Sequence, residues 1–279
     1  MSLLVLSAAS LIAAAALLSA VMADLATLRR RQSVDGLDDA ALTALRQGFV
    51  AMEALGDERG YGHWAGIHGL PLPIYCKHGS PLFLPWHRAY LYFFEQYLLD
   101  QAPTNGLPWW DWSTQTGIPT AYDVAQLPDG TANPLATGPV TGIPQQQFDN
   151  AGLPAVTVTS RQPDVPEALP SAQDVADVLA AADFTDFTNQ LEDLHNGVHE
   201  WVGGTMGLIP LAAYDPIFWA HHAMIDRLWY LWQLANPGAN PDASLLDTAL
   251  APFPMTVRQT LDIATLGYDY AAAVSSATP

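Results

Sequence analysis

Apolar side chains return with the period of a helix in several stretches of this chain. Between residues 37 and 55, Ala41, Leu42, Leu45, Phe49, Met52 and Ala54 fall near helical spacing and predict a helix. The period resumes after Pro85 in Tyr90, Leu91, Phe94 and Leu98, which predicts a helix from Trp86 to about Leu99. Ser171 with Asp174 three residues on is an N-cap signal, and the helix it opens should run to about Ala181. Residues 184–201 form the next predicted helix, ended by Gly203-Gly204. Residues 216–234 form the last, terminated by Asn236-Pro237-Gly238. Residues 56–66 read as a turn-rich connection, and Pro71 and Pro73 break any helix there, which leaves His78 on a loop. Residues 118–164 are rich in Pro, Gly, Thr and Gln and show no helical period. They are too long for a simple loop and are expected to form an ordered, irregular crossover on a helical core. The pattern is that of a mainly α chain with long irregular loops and little β.

Histidine placement adds chemistry to this outline. The eight histidines stand at 63, 68, 78, 87, 195, 199, 221 and 222. His195 and His199 are four apart on a predicted helix, so they share one face. A third imidazole arrives from the helix that starts after Asp215-Pro216. His68, His78 and His87 make a second set from the other half of the chain. Two imidazole triads are the pattern of a paired-metal centre, and imidazole suits copper, zinc, iron and nickel. A zinc-protease helix would place Glu directly after the first His, where this chain has Asn196. A closed structural zinc site would take a fourth ligand, usually cysteine. The single cysteine, Cys76, lies two residues from His78.

Ile67-His68-Gly69-Leu70-Pro71, Cys76-Lys77-His78-Gly79 and Phe83-Leu84-Pro85-Trp86-His87-Arg88 resemble the first copper-binding region of the tyrosinase, catechol oxidase and molluscan haemocyanin family. Leu194-His195-Asn196-Gly197-Val198-His199, with Asp215-Pro216-Ile217-Phe218-Trp219 and the run to Arg227, resembles its second region. The likeness covers roughly residues 40 to 270. It implies a four-helix bundle holding a binuclear copper site, with dioxygen as co-substrate. It assigns His68, His78 and His87 to one ion and His195, His199 and His222 to the other. His222 is preferred to His221 by its spacing from Asp226, and His221 is expected to make a hydrogen bond elsewhere. His63 has no matching role and is assigned to structure.

Further expectations follow from the resemblance. Glu192 and Asn196 would hold a water that serves as base towards a phenol. Ile209 would border the substrate pocket, and Phe218 would pack either beside the substrate ring or in the core. Cys76-Lys77-His78 is similar to a Cys-x-His in relatives where the sulfur bonds the imidazole, so Cys76 is expected to form a thioether with His78. Leu107-Pro108-Trp109-Trp110-Asp111-Trp112 resembles a family signature read as structural. Arg161 and Pro163 match an Arg-x-Pro, and Tyr268-Asp269-Tyr270 matches a pair that closes the core domain, with no plug domain expected after it. The implied activity is oxidation of monophenols and o-diphenols to o-quinones. The alternatives are a catechol or o-aminophenol oxidase, and an oxygen carrier of the haemocyanin kind.

Composition narrows the partners. Half of the residues are apolar and 14% are charged, ample for a large core. The net charge of −18, with Lys77 as sole lysine, repels phosphate backbones and excludes nucleic acid as an expected partner. The Arg29-Arg30-Arg31 run is too short to read as a nucleic-acid patch. The expected partners are small phenolic substrates. Residues 1–23 are uncharged and apolar, and Val21-Met22-Ala23 resembles a cleavage site. They read as a signal peptide for a secreted or periplasmic protein, with residues 24–279 as the copper-binding domain. No stable membrane association is expected unless that segment is retained.

Overall fold

The computed structural model describes residues 28–272; the expected signal peptide, 1–23, lies outside them. Along the chain run β1 (Arg29–Arg31), α1 (Asp39–Glu53), α2 (Tyr61–His68), α3 (Phe83–Gln101), α4 (Thr120–Asp123), α5 (Gln145–Ala151), α6 (Ala172–Leu179), α7 (Phe184–Val202), α8 (Ile217–Ala235) and β2 (Tyr268–Tyr270). The architecture is mainly α, as expected.

Local signals explain several helix ends. Asp38 caps α1 by accepting from the Ala41 amide, and Asp183 caps α7 by accepting from the Asp186 amide. The expected Ser171–Asp174 capping box opens α6. Gly203 ends α7 at φ +63°, where a Cβ would stand 2.7 Å from the Gln162 carbonyl oxygen, so only glycine fits. The α3 helix starts at Phe83 rather than Trp86, because Pro85 sits in the first turn, where its missing N–H leaves no bond unmade.

The connection expected at 56–66 needs correction, since Tyr61–His68 is helical. Gly62 and Gly66 weaken its helical signal. Packing supplies what propensity lacks: Tyr61, Trp64, Ala65 and Ile67 are buried, and the Tyr90 hydroxyl donates to the Trp64 carbonyl.

Helices α2, α3, α7 and α8 form the four-helix bundle, with α1 packed outside α3. Aromatic stacking joins them. Phe94 of α3 lies on Trp219 of α8, centroids 3.5 Å apart and rings within 9° of parallel. Phe187 of α7 lies on Trp232 of α8 at 4.5 Å. The 118–164 segment is irregular apart from α4 and α5, and Arg161 pins it. Its guanidinium grips Asp215, just ahead of α8, with Nε 3.0 and 2.9 Å from the two carboxylate oxygens, and donates to the Leu135 carbonyl.

The arginine run at 29–31 is a strand, which its composition did not suggest. It pairs in parallel with Tyr268–Tyr270. Arg31 is fully buried, bonded to Glu95 through Nε (2.8 Å) and to Asp226 through Nη1 (3.1 Å), with its guanidinium 3.8 Å above the Tyr268 ring. Asp226 also accepts from Arg88 and from the Tyr268 hydroxyl at 2.7 Å. Burial alone would raise the Asp226 carboxyl, but Arg88 and Arg31 reverse this and hold it below its usual range. Arg88 follows His87 on α3, and Asp226 stands one turn beyond His222 on α8. This buried network therefore braces the two metal-bearing halves.

Candidate metal centre

The six expected histidines arrive from five places. His68 ends α2, His78 stands on the following loop, and His87 lies in the first turns of α3. His195 and His199 share one face of α7, and His222 comes from α8. In His68, His78 and His87 one ring nitrogen of each lies within 4.8 Å of the others, and a second such group holds His195, His199, His221 and His222. The groups face each other: the His87 and His222 rings stack at 4.6 Å and 15°, and His78 and His195 at 5.8 Å and 25°.

Hydrogen bonds orient the rings. Nδ1 of His87 meets the Phe83 carbonyl at 2.8 Å, Nδ1 of His199 the Met206 carbonyl at 2.8 Å, and Nδ1 of His68 the Ile209 carbonyl at 3.3 Å. Nδ1 of His195 meets Oδ1 of Asn196 at 3.0 Å. A carbonyl only accepts, so Nδ1 carries the proton and Nε2 keeps its lone pair, the arrangement of a metal-ligating imidazole. The Nε2 atoms of His68 and His87 are buried without a partner. Nε2 of His222 stands 3.2 Å from that of His195 and 3.4 Å from that of His199. The Nε2 lone pairs of His195 and His199 thus converge on His222, and a cation among the three would be held by all of them. Burial lowers the pKa of every ring in the two groups, to about 4 for His78 and His199, so all are neutral and able to ligate near pH 7. The residues therefore fit a pair of metal ions.

His221 departs from expectation. It belongs to the second group and is completely buried, with no well-formed hydrogen bond to either ring nitrogen among the described residues. Its ring lies on His195, 5.1 Å away and within 20° of parallel, and 6.2 Å from Trp112. Nε2 of His222, not a ring nitrogen of His221, comes within 3.2 and 3.4 Å of the Nε2 atoms of His195 and His199, which leaves His222 as the better third donor. Close approach of α7 and α8 brings both neighbours to the cluster. His63 lies in neither group and packs edge-on to Trp64.

A cleft of about 500 Å³ reaches this cluster, walled by His68, His78, His195 and His199 among others. Glu192, Asn196 and Ile209 line it, as expected. Ile209 is 51% exposed at its mouth. Glu192 is buried and accepts from the Gly79 amide at 2.6 Å, tying the His78 loop to α7. Burial pushes its carboxyl up, against the pull of that amide. Phe218 takes the core place of its two expected ones and corrects the placement beside the substrate ring. It has no exposure and does not line the cleft; it packs at 4.1 Å on His222 and 4.8 Å on His68, behind the imidazoles. Cys76 is a half-buried thiol on the His78 loop, pushed up to about 12 by burial. Trp109, Trp110 and Trp112 are fully buried beside α8, and the Trp110 amide donates to the Ala220 carbonyl.

The sequence reading missed the Glu192–Gly79 tie and the part of Arg31. The first joins residues 113 apart, and the second joins residues 195 apart, so neither leaves a local periodic signal.

Comparison with known proteins places this geometry. Residues 58–235 match the common central domain of tyrosinase. The chain is 31% identical over 230 residues to a haemocyanin of Enteroctopus dofleini, covering 73% of this chain and 8% of that protein. It is 32% identical over 202 residues to the tyrosinase of Streptomyces glaucescens, covering 63% of this chain and 73% of the relative. The chain thus spans less than a tenth of that haemocyanin polypeptide. A functional unit of octopus haemocyanin superposes with TM-score 0.74 at 28% identity, over 87% of this chain and 68% of that one. A recombinant mushroom tyrosinase shares the fold, with TM-score 0.77 at 24% identity over 88% of this chain and 62% of that one. The chain belongs to the tyrosinase family, whose members bind two copper ions through histidines, and its two facing imidazole groups are suited to the same pair.

Proposed function

We propose that the copper-loaded protein oxidises monophenols and o-diphenols to o-quinones with dioxygen. The observation that carries this reading is the open cleft, which brings solvent and a phenol-sized space to four of the six imidazoles. Dioxygen storage would need no opening of that size. Copper, when bound by His68, His78 and His87 and by His195, His199 and His222, supplies reversible one-electron steps between phenol and dioxygen.

The chain's own residues bind, orient and deprotonate. Ile209 gives the ring an apolar edge at the mouth. The Gly79 amide fixes Glu192 in place, and burial favours its taking up a proton. Asn196 uses Oδ1 on His195, which leaves its amide NH2 to hold a water. Glu192 and that water together form a base within reach of a phenolic hydroxyl at the second site. Residues 1–23 support export of the protein.

The test is copper-loaded protein assayed with tyramine and with a catechol. Quinone from both is expected. Asn196→Gly should depress monophenol turnover about 10-fold more than catechol turnover; equal losses would remove the argument for hydroxylation and leave a catechol or o-aminophenol oxidase. The haemocyanin relatives support a second reading as an oxygen carrier, which reversible oxygen uptake without any quinone would establish.

A further inference from the structure

We infer that the cleft selects phenols bearing a positive charge and no carboxylate, such as arylalkylamines and their catechols, over anionic phenols. This rests on the oxidase reading above and adds the substrate class to it.

Helix α7 supplies one whole wall of the cleft. Asn189, Glu192, Asp193, Asn196 and Glu200 all line it, at spacings of three, one, three and four residues, which makes one polar stripe along the helix. Three of these five are carboxylates. Asp193 and Glu200 are exposed, and neither forms an ion pair among the described residues. Beyond α7 and the imidazoles, the lining is Gly79, Met206, Gly207, Ile209 and Ala212, which carry no charge.

Among the described residues, no lysine or arginine lines the cleft. Arg29, Arg30, Arg59, Arg161 and Arg258 are held by carboxylates elsewhere. Lys77 precedes His78 on the nearby loop but does not reach the lining, and its charge acts on Cys76. His195 and His199 of the second group line the cleft and mark, in the oxidase reading, where the phenolic oxygen of the substrate lies. A phenol ring directed there leaves its side chain beside the acidic stripe. An ammonium in that place is attracted, and a carboxylate is repelled and left with no cation to meet it. The net charge of −18 adds a long-range field of the same sign.

A unit charge about 7 Å from an exposed carboxylate in water changes binding by about threefold. The two exposed carboxylates therefore predict about tenfold between an ammonium-bearing and a neutral phenol, and a comparable step down to an anionic one. The field is screened by salt.

The experiment measures kcat/KM of the copper-loaded protein for tyramine, 4-ethylphenol and 4-hydroxyphenylpropionate at low and high ionic strength. The expected order is amine, neutral, acid, carried by KM, and compressed by salt. Asp193→Asn and Glu200→Gln should each lower the value for tyramine about threefold and leave 4-ethylphenol unchanged. Equal values for the three compounds, or a preference for the acid, would overturn the inference while the oxidase reading stands. If none of the three gives quinone, the oxidase reading falls by itself. Calorimetric binding of tyramine and the acid then decides the inference: tighter binding of the amine supports it, and equal affinities overturn it.

Discussion

The two halves of the metal centre are built differently. The second group rests on two long helices, with His195 and His199 on one face of α7 and His222 on α8, and stacked Phe187 and Trp232 join those helices. The first group takes one ring from the end of an eight-residue helix, one from a loop and one from the start of α3. Its His78 is only partly buried, whereas His222 has 1% exposure. The second group is placed by helix geometry, and the first by contacts made to it from elsewhere. Those contacts are visible: the Ile209 carbonyl from the second half orients His68, and Glu192 of α7 holds the loop after His78. The first half is thus assembled on the second.

Metal binding tests this order most strongly. His222→Ala should abolish phenol oxidation, a loss of ~10³-fold or more, and weaken copper binding at both sites, because His222 also stacks on His87. His78→Ala should also stop oxidation but retain one copper on the second group. Copper counts that fall equally in the two variants would contradict the asymmetry.

The brace between the halves comes next. Asp226→Asn leaves Arg31 and Arg88 buried beside a neutral amide, and should cost about 3–5 kcal/mol in denaturant unfolding. A cost near zero would mean that the halves hold together without it.

The loop of the first half offers a smaller effect. If Cys76 bonds His78, the copper-loaded protein exposed to dioxygen, which takes up the two electrons and two protons, should be lighter by two hydrogens and inert to thiol reagents. Cys76→Ser should then weaken the first copper about 10-fold and spare the second. An unchanged mass with a reactive thiol would show that the loop is held by Glu192 alone.

The smallest effect lies outside both halves. Burial pushes the Glu53 carboxyl on α1 from 4.5 up to about 7. The folded chain therefore keeps a proton that the unfolded chain releases, and stability from this group is lost as pH rises between those values. Glu53→Gln should stabilise at pH 8 by about 1 kcal/mol, after discount for partial exposure, and have no effect below pH 4. A stability gain of equal size at both pH values would remove the titration argument. Glu53→Gln should leave the metal count unchanged.

The helices α1, α3, α6, α7 and α8 could be read from apolar period, caps and terminating glycines, because each depends on residues within a few positions of one another. The pairing of His195 with His199 was legible for the same reason, and so was the family. The short α2, the parallel pairing of Arg29–Arg31 with Tyr268–Tyr270, and the entry of His221 into the second group were not. Phe218 went behind the imidazoles because burial on a packed helix is decided by which neighbours close over it. The sequence by itself determined which segments coil and which rings a helix turns to one side. Only the tertiary structure decided which charges meet across most of the chain's length, and what lines the cleft. Those meetings depend on how helices pack, and no local spacing of residues records that.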